Sequence, residues 1–256
     1  MEPSTTNSPS RFRLPTVAFF GRTMPEYLEM LALDTDRLRG LSILDVASGP
    51  GSFVAESLAM GLDVIGCDPL YGSDPGTIVA QGKADIDACR EQIRRNPDAL
   101  VYGDIEAFYR DKYAALERFA VDFASRRNED RYVAGALPLQ PFADRSFDLV
   151  VTANFLMVYA PLADGGMHDG EDFDLGFHLS AVDELARVTR GELRISGMHT
   201  WKQPPTRHPY CHPMMNRLEE IGFRTELVAS RYDDGCSAVD QSCNHVLVAR
   251  REGSGK

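Results

Sequence analysis

The chain has 256 residues, 43% of them hydrophobic, and 38 acids against 27 bases leave a net charge of −11. That length suits one large α/β domain or two small ones. The acidic balance argues against a protein that grips nucleic acid through many phosphates, and against an anionic membrane surface as partner, so a small molecule is the expected partner.

The five cysteines, Cys67, Cys89, Cys211, Cys236 and Cys243, are an odd number at irregular spacing. This disfavours a disulfide framework and points to a reducing, cytoplasmic setting. No stretch reaches the ~18 consecutive apolar residues of a membrane span. Positions 1–15 are polar and rich in Pro and Ser, and read as a disordered leader rather than a signal peptide. Positions 253–256 read as a frayed tail, which leaves 16–252 as one domain.

Taken in chain order, Tyr27, Leu28, Leu31 and Leu38 predict a helix over 25–39, with Thr23 as its cap and Pro25 in its first turn. A strand over 41–47, a helix over 51–60 and a second strand over 62–67 follow. Two helices come next, over 77–95 and 104–127. In the second, Ile105, Phe108, Tyr109, Leu116, Phe119, Ala120 and Phe123 form one apolar stripe. Together they make an insertion over about 72–130, longer than a plain crossover needs. A cap over the cleft, extra core on the sheet's flank and a homodimer interface all stay open for it. Then come strands over 131–134 and 147–153, a helix over 177–189, a strand over 191–198, a helix over 214–223, and strands over 223–230 and 245–250. The alternation predicts a doubly wound, mainly parallel sheet. The last two strands have no helix between them and should run antiparallel.

The turn "DVASGPGSF" joins the first strand to its helix. Gly49 and Gly51 let a ligand approach the backbone, because no Cβ intervenes. The dinucleotide fingerprint is only half matched, since Val54 stands where its third glycine belongs. The Asp45 carboxylate sits poorly beside a pyrophosphate and suits an ammonium or sulfonium. The second strand ends in Asp68, 19 residues after Gly49, where a doubly wound fold places an acid for a ribose diol.

In order, "LDVASGPGSF", "VIGCDP", "ALPLQPFADRSFDLVV" and "DELARVTRGELRIS" resemble the motifs of class I S-adenosylmethionine-dependent methyltransferases, nearest the bacterial group with "LPF-x-D-x-S-F-D". The resemblance covers about Leu41 to Ser196, with the interval from Asp68 to Arg131 as an insertion. It implies a Rossmann-like, seven-stranded sheet with an antiparallel final strand, and S-adenosyl-L-methionine as cofactor. By the same resemblance, Asp45, Ala47, Ser48, Gly49 and Gly51 would face the methionine part. Asp68, followed by Pro69, would take both ribose hydroxyls. The segment from Gly135 through Ala136 to Leu137 would lie beside the adenine. Asn154 and Phe155 would border the methyl group and the acceptor. Ala47 replaces a commoner glycine, and Ala136 stands near the usual adenine-binding acid.

Methyl transfer to an oxygen or nitrogen needs alignment above all, and a base only where a proton must leave. His178, His199 and Tyr159 are the candidates for that role. His208, Cys211 and His212, with Cys243 and His245 further on, lack a standard zinc spacing, so no metal is expected. The segment "HPYCHP" is expected to be a loop, with Tyr210 lining the acceptor pocket. Two other readings stay open: a nicotinamide-dependent oxidoreductase, and a non-catalytic cofactor-binding sensor or partner protein.

Overall fold

The computed structural model describes residues 13–95, 104–126, 129–202, 204–233 and 241–253. Most of the expected leader (1–12), tail residues 254–256 and Cys236 lie outside them. Seven strands form one sheet: β1 (Ser42–Val46), β2 (Asp63–Cys67), β3 (Tyr132–Val133), β4 (Phe147–Thr152), β5 (Thr189–Ile195), β6 (Phe223–Ala229) and β7 (His245–Arg251). Their spatial order is β3-β2-β1-β4-β5-β7-β6. The first five are joined by parallel pairings, whereas β7 runs antiparallel to both β5 and β6. This is the predicted doubly wound sheet with its reversed final strand.

Alternation along the strands serves two cores. Ile43, Leu149, Val151, Val246 and Val248 belong to one face, and Leu44, Val150, Leu193, Leu247 and Ala249 to the other. Strands covered on both faces read as continuous apolar runs, which is why Ile43 and Leu44 in β1 and Leu149 to Val151 in β4 are apolar without alternation. The helices are α1 (Met24–Met30), α2 (Thr35–Leu38), α3 (Phe53–Ala59), α4 (Pro75–Arg95), α5 (Ile105–Arg126), α6 (Leu156–Tyr159), α7 (Leu175–Val188) and α8 (Cys211–Glu220). Helices α1, α3, α4 and α5 contribute to the first core, α7 and α8 to the second. Among the described residues no helix is long and apolar enough to cross a membrane.

Three expectations shift. The single helix over 25–39 is two, because Ala32 turns left-handed (φ 50°) and the Asp34 carboxylate accepts from the Asp36 N–H at 3.0 Å to start α2. The break buries Leu31 and Leu33 together, which an unbroken helix would place on different faces. Part of the expected "HPYCHP" loop is helix: α8 starts at Cys211, and Pro213 falls in its first turn, where a missing N–H is harmless. Residues 13–15, expected in the leader, are placed on the fold. Leu14 is buried and its N–H donates to the Met167 carbonyl at 2.8 Å.

The insertion is partly core. On α5, Phe119 and Phe123 stack 5.1 Å apart and meet Tyr71 and Tyr132 beside β2 and β3. The same helix buries Lys112, whose ammonium pairs with Glu26 of α1 and lies 4.6 Å from the centre of the Phe108 ring.

Candidate functional site

From β1 the chain winds outward to β2 and β3, and from β4 it winds the other way. Such a reversal opens a crevice at the carboxyl ends of the strands. A cavity of about 400 Å³ lies there. It brings together Ala47 and Gly49 from the first turn, Asp68 and Pro69 after β2, Ala136 and Leu137 after β3, and Asn154, Phe155 and Tyr159 after β4.

Ala47 and Gly49 both take left-handed backbone angles, with φ of 56° and 55°. This curls the turn and explains why a glycine would be natural at position 47. Asp68 then fixes the turn to β2. Its Oδ2 accepts from the Gly49 N–H at 3.1 Å and its Oδ1 from the Leu70 N–H at 2.9 Å. Two of its roughly four lone-pair positions are thereby used. Burial pushes this carboxyl up to about 6, against those two hydrogen bonds.

Asp45 is not among the residues that line the cavity. It is fully buried, and its Oδ2 accepts from the Ser48 hydroxyl at 2.6 Å and the Tyr27 hydroxyl at 3.0 Å. Burial pushes it up to about 7. Ser48 and Gly51 are likewise absent from the lining. Gly51 lies against the Arg22 carbonyl, 3.2 Å from where a Cβ would stand.

Asn154 is held in a left-handed conformation (φ 48°), with its N–H donating to the Ser196 hydroxyl at 2.8 Å and its Oδ1 accepting from it at 3.0 Å. Its side-chain Nδ2 is buried without a partner. A left-handed non-glycine residue with an orphan donor therefore stands at the cavity wall. Beside it, Gly135 passes so close to β2 that a Cβ would stand 2.7 Å from the Cys67 sulfur.

No family model matches the chain. An uncharacterized protein of Methanocaldococcus jannaschii is 27% identical over 246 residues, covering 93% of this chain and 98% of that one. Among solved structures, 1,6-didemethyltoxoflavin-N1-methyltransferase of Burkholderia thailandensis, with S-adenosylhomocysteine bound, gives a TM-score of 0.45 at 16% identity over 89% of this chain and 76% of that one. Magnesium protoporphyrin IX methyltransferase of Synechocystis gives 0.42 at 15% identity over 89% and 81%. What decides the architecture is the chain's own sheet, with reversed β7 inserted between β5 and β6. Its order and directions are those of the doubly wound, Rossmann-like sheet that the sequence resemblance implies.

Around the cavity the three candidate bases separate. Tyr159 lines the cavity, but its hydroxyl accepts from the Ala18 N–H at 3.0 Å and contacts the Ala18 carbonyl at 3.3 Å, and burial raises its pKa. His178 is buried in the first turn of α7, with its ring nitrogens on the carbonyls of Asp174 at 2.8 Å and Leu156 at 2.9 Å. Burial lowers its pKa. His199 is buried beside Trp201 and contacts the Thr200 carbonyl through Nδ1 at 3.2 Å. Neither histidine lines the cavity.

Tyr210 does not reach it either. Its ring packs on His178 and His208, and its hydroxyl donates to Asp164 at 2.5 Å. Burial pushes His208 down to about 3. Among the described residues no cluster of three or more His, Cys, Asp or Glu is placed to hold a metal ion.

The sequence reading missed the segment over 14–22, which lies along the cavity as a strap. Val17, Ala18, Phe19, Phe20 and Arg22 all line it. The strap is pinned where the Phe19 N–H donates to Asp85 of α4 at 2.7 Å. It then crosses the glycine turn: a Cβ on Gly21 would stand 2.2 Å from the Pro50 carbonyl oxygen, and the Arg22 carbonyl accepts from the Ser52 N–H at 2.9 Å. The apolar run "VAFF" just before a capped helix was the available signal. From the insertion, Cys89, Ile93, Phe108 and Tyr109 also reach the cavity.

Proposed function

We propose that the chain is a cytoplasmic S-adenosyl-L-methionine-dependent methyltransferase acting on a small molecule. The observation that carries this reading is Asp68, whose carboxylate ties the Gly49 turn to β2 and faces the cavity with lone pairs to spare. These residues fit the cofactor. Asp68 suits a ribose diol, Ala47 and Gly49 leave room for a close approach, and the Asn154 amide donor lacks a partner. The buried free thiols of Cys67 and Cys211 accord with a reducing compartment.

The strap counts against a dinucleotide. A pyrophosphate would need the N–H groups at the start of α3. There the Ser52 N–H is already taken by the Arg22 carbonyl, and Gly21 is packed onto Pro50. Glu56 in the first turn of α3 adds a like charge.

The cofactor supplies an activated methyl group for in-line displacement by a lone pair of the acceptor. The chain's own contribution is to bind, align and exclude water, which can be worth roughly 7–11 kcal/mol in well-oriented systems. Burial raises Tyr159 and Tyr109 and pushes the Cys89 thiol up to about 12, so all three stay protonated at neutral pH. With both histidines off the cavity, the reading favours an acceptor atom that needs no protein base, such as a neutral nitrogen.

Titration calorimetry with S-adenosylhomocysteine tests the reading. Micromolar or tighter association is the expected result, followed by a mass gain of one methyl group on a metabolite in extract supplied with cofactor. Absence of association with the folded chain, or a preference for NADH, would overturn it.

A further inference from the structure

Away from the turn, the cavity changes character. Its walls are contributed by the strap, by α4 and α5, and by the segment after β4, and they are apolar and aromatic. Phe20 and Phe108 lie 5.9 Å apart, and Phe108 meets Tyr109 edge-on at 5.2 Å. In the segment after β4, Phe155 meets Tyr159 at 5.6 Å and Phe173 at 5.8 Å.

Charge is scarce in this region. Among the described lining residues only Asp68 and Arg22 carry one. Asp68 belongs to the cofactor end. Arg22 is engaged: its Nε donates to the Tyr232 hydroxyl at 3.3 Å, and its guanidinium lies over the Phe20 and Tyr232 rings. A charged acceptor would lose its hydration here without gaining a free counter-ion. A flat, uncharged ring meets walls made for it, because aromatic pairs gain beyond their buried area.

One hydroxyl among the described lining residues lacks a partner. Tyr109 lines the cavity, is buried, and its hydroxyl has no hydrogen-bond partner within the protein. Buried hydroxyls are ordinarily satisfied. A hydroxyl both donates and accepts, so it can pair with a carbonyl, a ring nitrogen or an N–H on a ligand's edge.

We propose that the acceptor end of this cavity takes an uncharged, planar aromatic molecule whose polar edge is read by the Tyr109 hydroxyl. This deepens the methyltransferase reading and rests on it for the word acceptor, while the aromatic site itself is tested separately. Tyr109 is a specificity-determining residue, distinct from the groups that hold the cofactor.

The test is calorimetry on the full chain, with and without saturating S-adenosylhomocysteine, using four probes. These are 4-hydroxyquinoline (planar, neutral, with a polar edge), naphthalene (planar, without one), benzoate and spermidine. The expected order places 4-hydroxyquinoline at least tenfold tighter than either charged probe. Tyr109→Phe should weaken 4-hydroxyquinoline by about tenfold and leave naphthalene unchanged, since it removes one hydrogen bond and no shape. The variant should fold and melt no lower than the parent, because its lost hydroxyl had no partner in the protein. Equal or tighter binding of a charged probe, equal losses for both rings, or no aromatic binding in either state would overturn the proposal. Failure of S-adenosylhomocysteine alone would strike the methyltransferase reading and leave the aromatic arms to be judged on the unloaded chain.

Discussion

The carboxylate of Asp68 accepts a hydrogen bond from the backbone N–H of Gly49 at 3.1 Å, so the acid that ends β2 also fixes the curl of the turn that ends β1. One side chain thereby positions both the backbone and the acceptor oxygens of the proposed nucleoside site. Asp68→Ala is expected to weaken S-adenosylhomocysteine by about 10- to 100-fold, the loss of charge-assisted hydrogen bonds worth ~1.5–3 kcal/mol. Calorimetry checks it, and an unchanged affinity in a folded variant would remove Asp68 from the site.

Protons should follow the ligand. Burial holds Asp45 up at about 7 and Asp68 at about 6, whereas an unfolded Asp titrates near ~3.9. A raised carboxyl pKa means the folded chain keeps protons that the unfolded chain has released. The stabilisation is therefore fully present below about pH 4 and is lost as pH rises through about 6 to 7. Urea midpoints across this range should fall for the ligand-free chain, and Asp68→Asn should flatten the slope between about pH 4 and 6. Hydroxyl donors favour the ionised carboxylate, so S-adenosylhomocysteine should release a proton on binding and bind more tightly as pH rises from about 5 to 7. Calorimetry in two buffers of different ionisation heat reads the proton directly, and no difference between them would contradict the coupling.

Ala47 sits at φ 56° on the cavity wall. A left-handed angle costs a non-glycine residue roughly 1–2 kcal/mol, and glycine loses back roughly 0.5–1 kcal/mol through its freer unfolded chain. Ala47→Gly should thus be near neutral or slightly stabilising. Ala47→Val, whose branched side chain suits that angle poorly and occupies ligand space, should lower both Tm and cofactor affinity. Differential scanning fluorimetry with and without S-adenosylhomocysteine separates the two effects.

The buried pair Lys112–Glu26 joins the insertion to α1. Glu26 also accepts from the Thr23 N–H at 2.7 Å and the Tyr232 hydroxyl at 2.9 Å, so three chain segments meet on one carboxylate. Removing one partner of a buried pair strands the other charge, at about 3–5 kcal/mol. Lys112→Met should destabilise by that order in urea unfolding, and adding Glu26→Gln should restore part of the loss. If the double variant is no better than the single, the pair is not coupled as described.

Much of the framework was legible in the chain. The apolar runs of β1 and β4, the capped start of α1 and the stripe of α5 follow from spacing and from residue chemistry at element ends. Harder to read was the break after Met30. Leu31 and Leu33 satisfy a helical pattern about as well as they satisfy burial on two sides of a bend, and the left-handed Ala32 leaves no compositional mark.

Local sequence determined the turn, since glycines, the strand before them and an acid 19 residues on act through neighbouring backbone. Which side chains reach the cavity was decided by tertiary structure. His178 and His199 sit near the expected strand ends yet turn into packed interior. Asp45 is not among the lining residues, and Val17, Phe20 and Tyr109 come in from segments far along the chain. A motif specifies a backbone path over a few residues, whereas the direction of each side chain is settled by the burial and hydrogen bonds that distant segments bring to it.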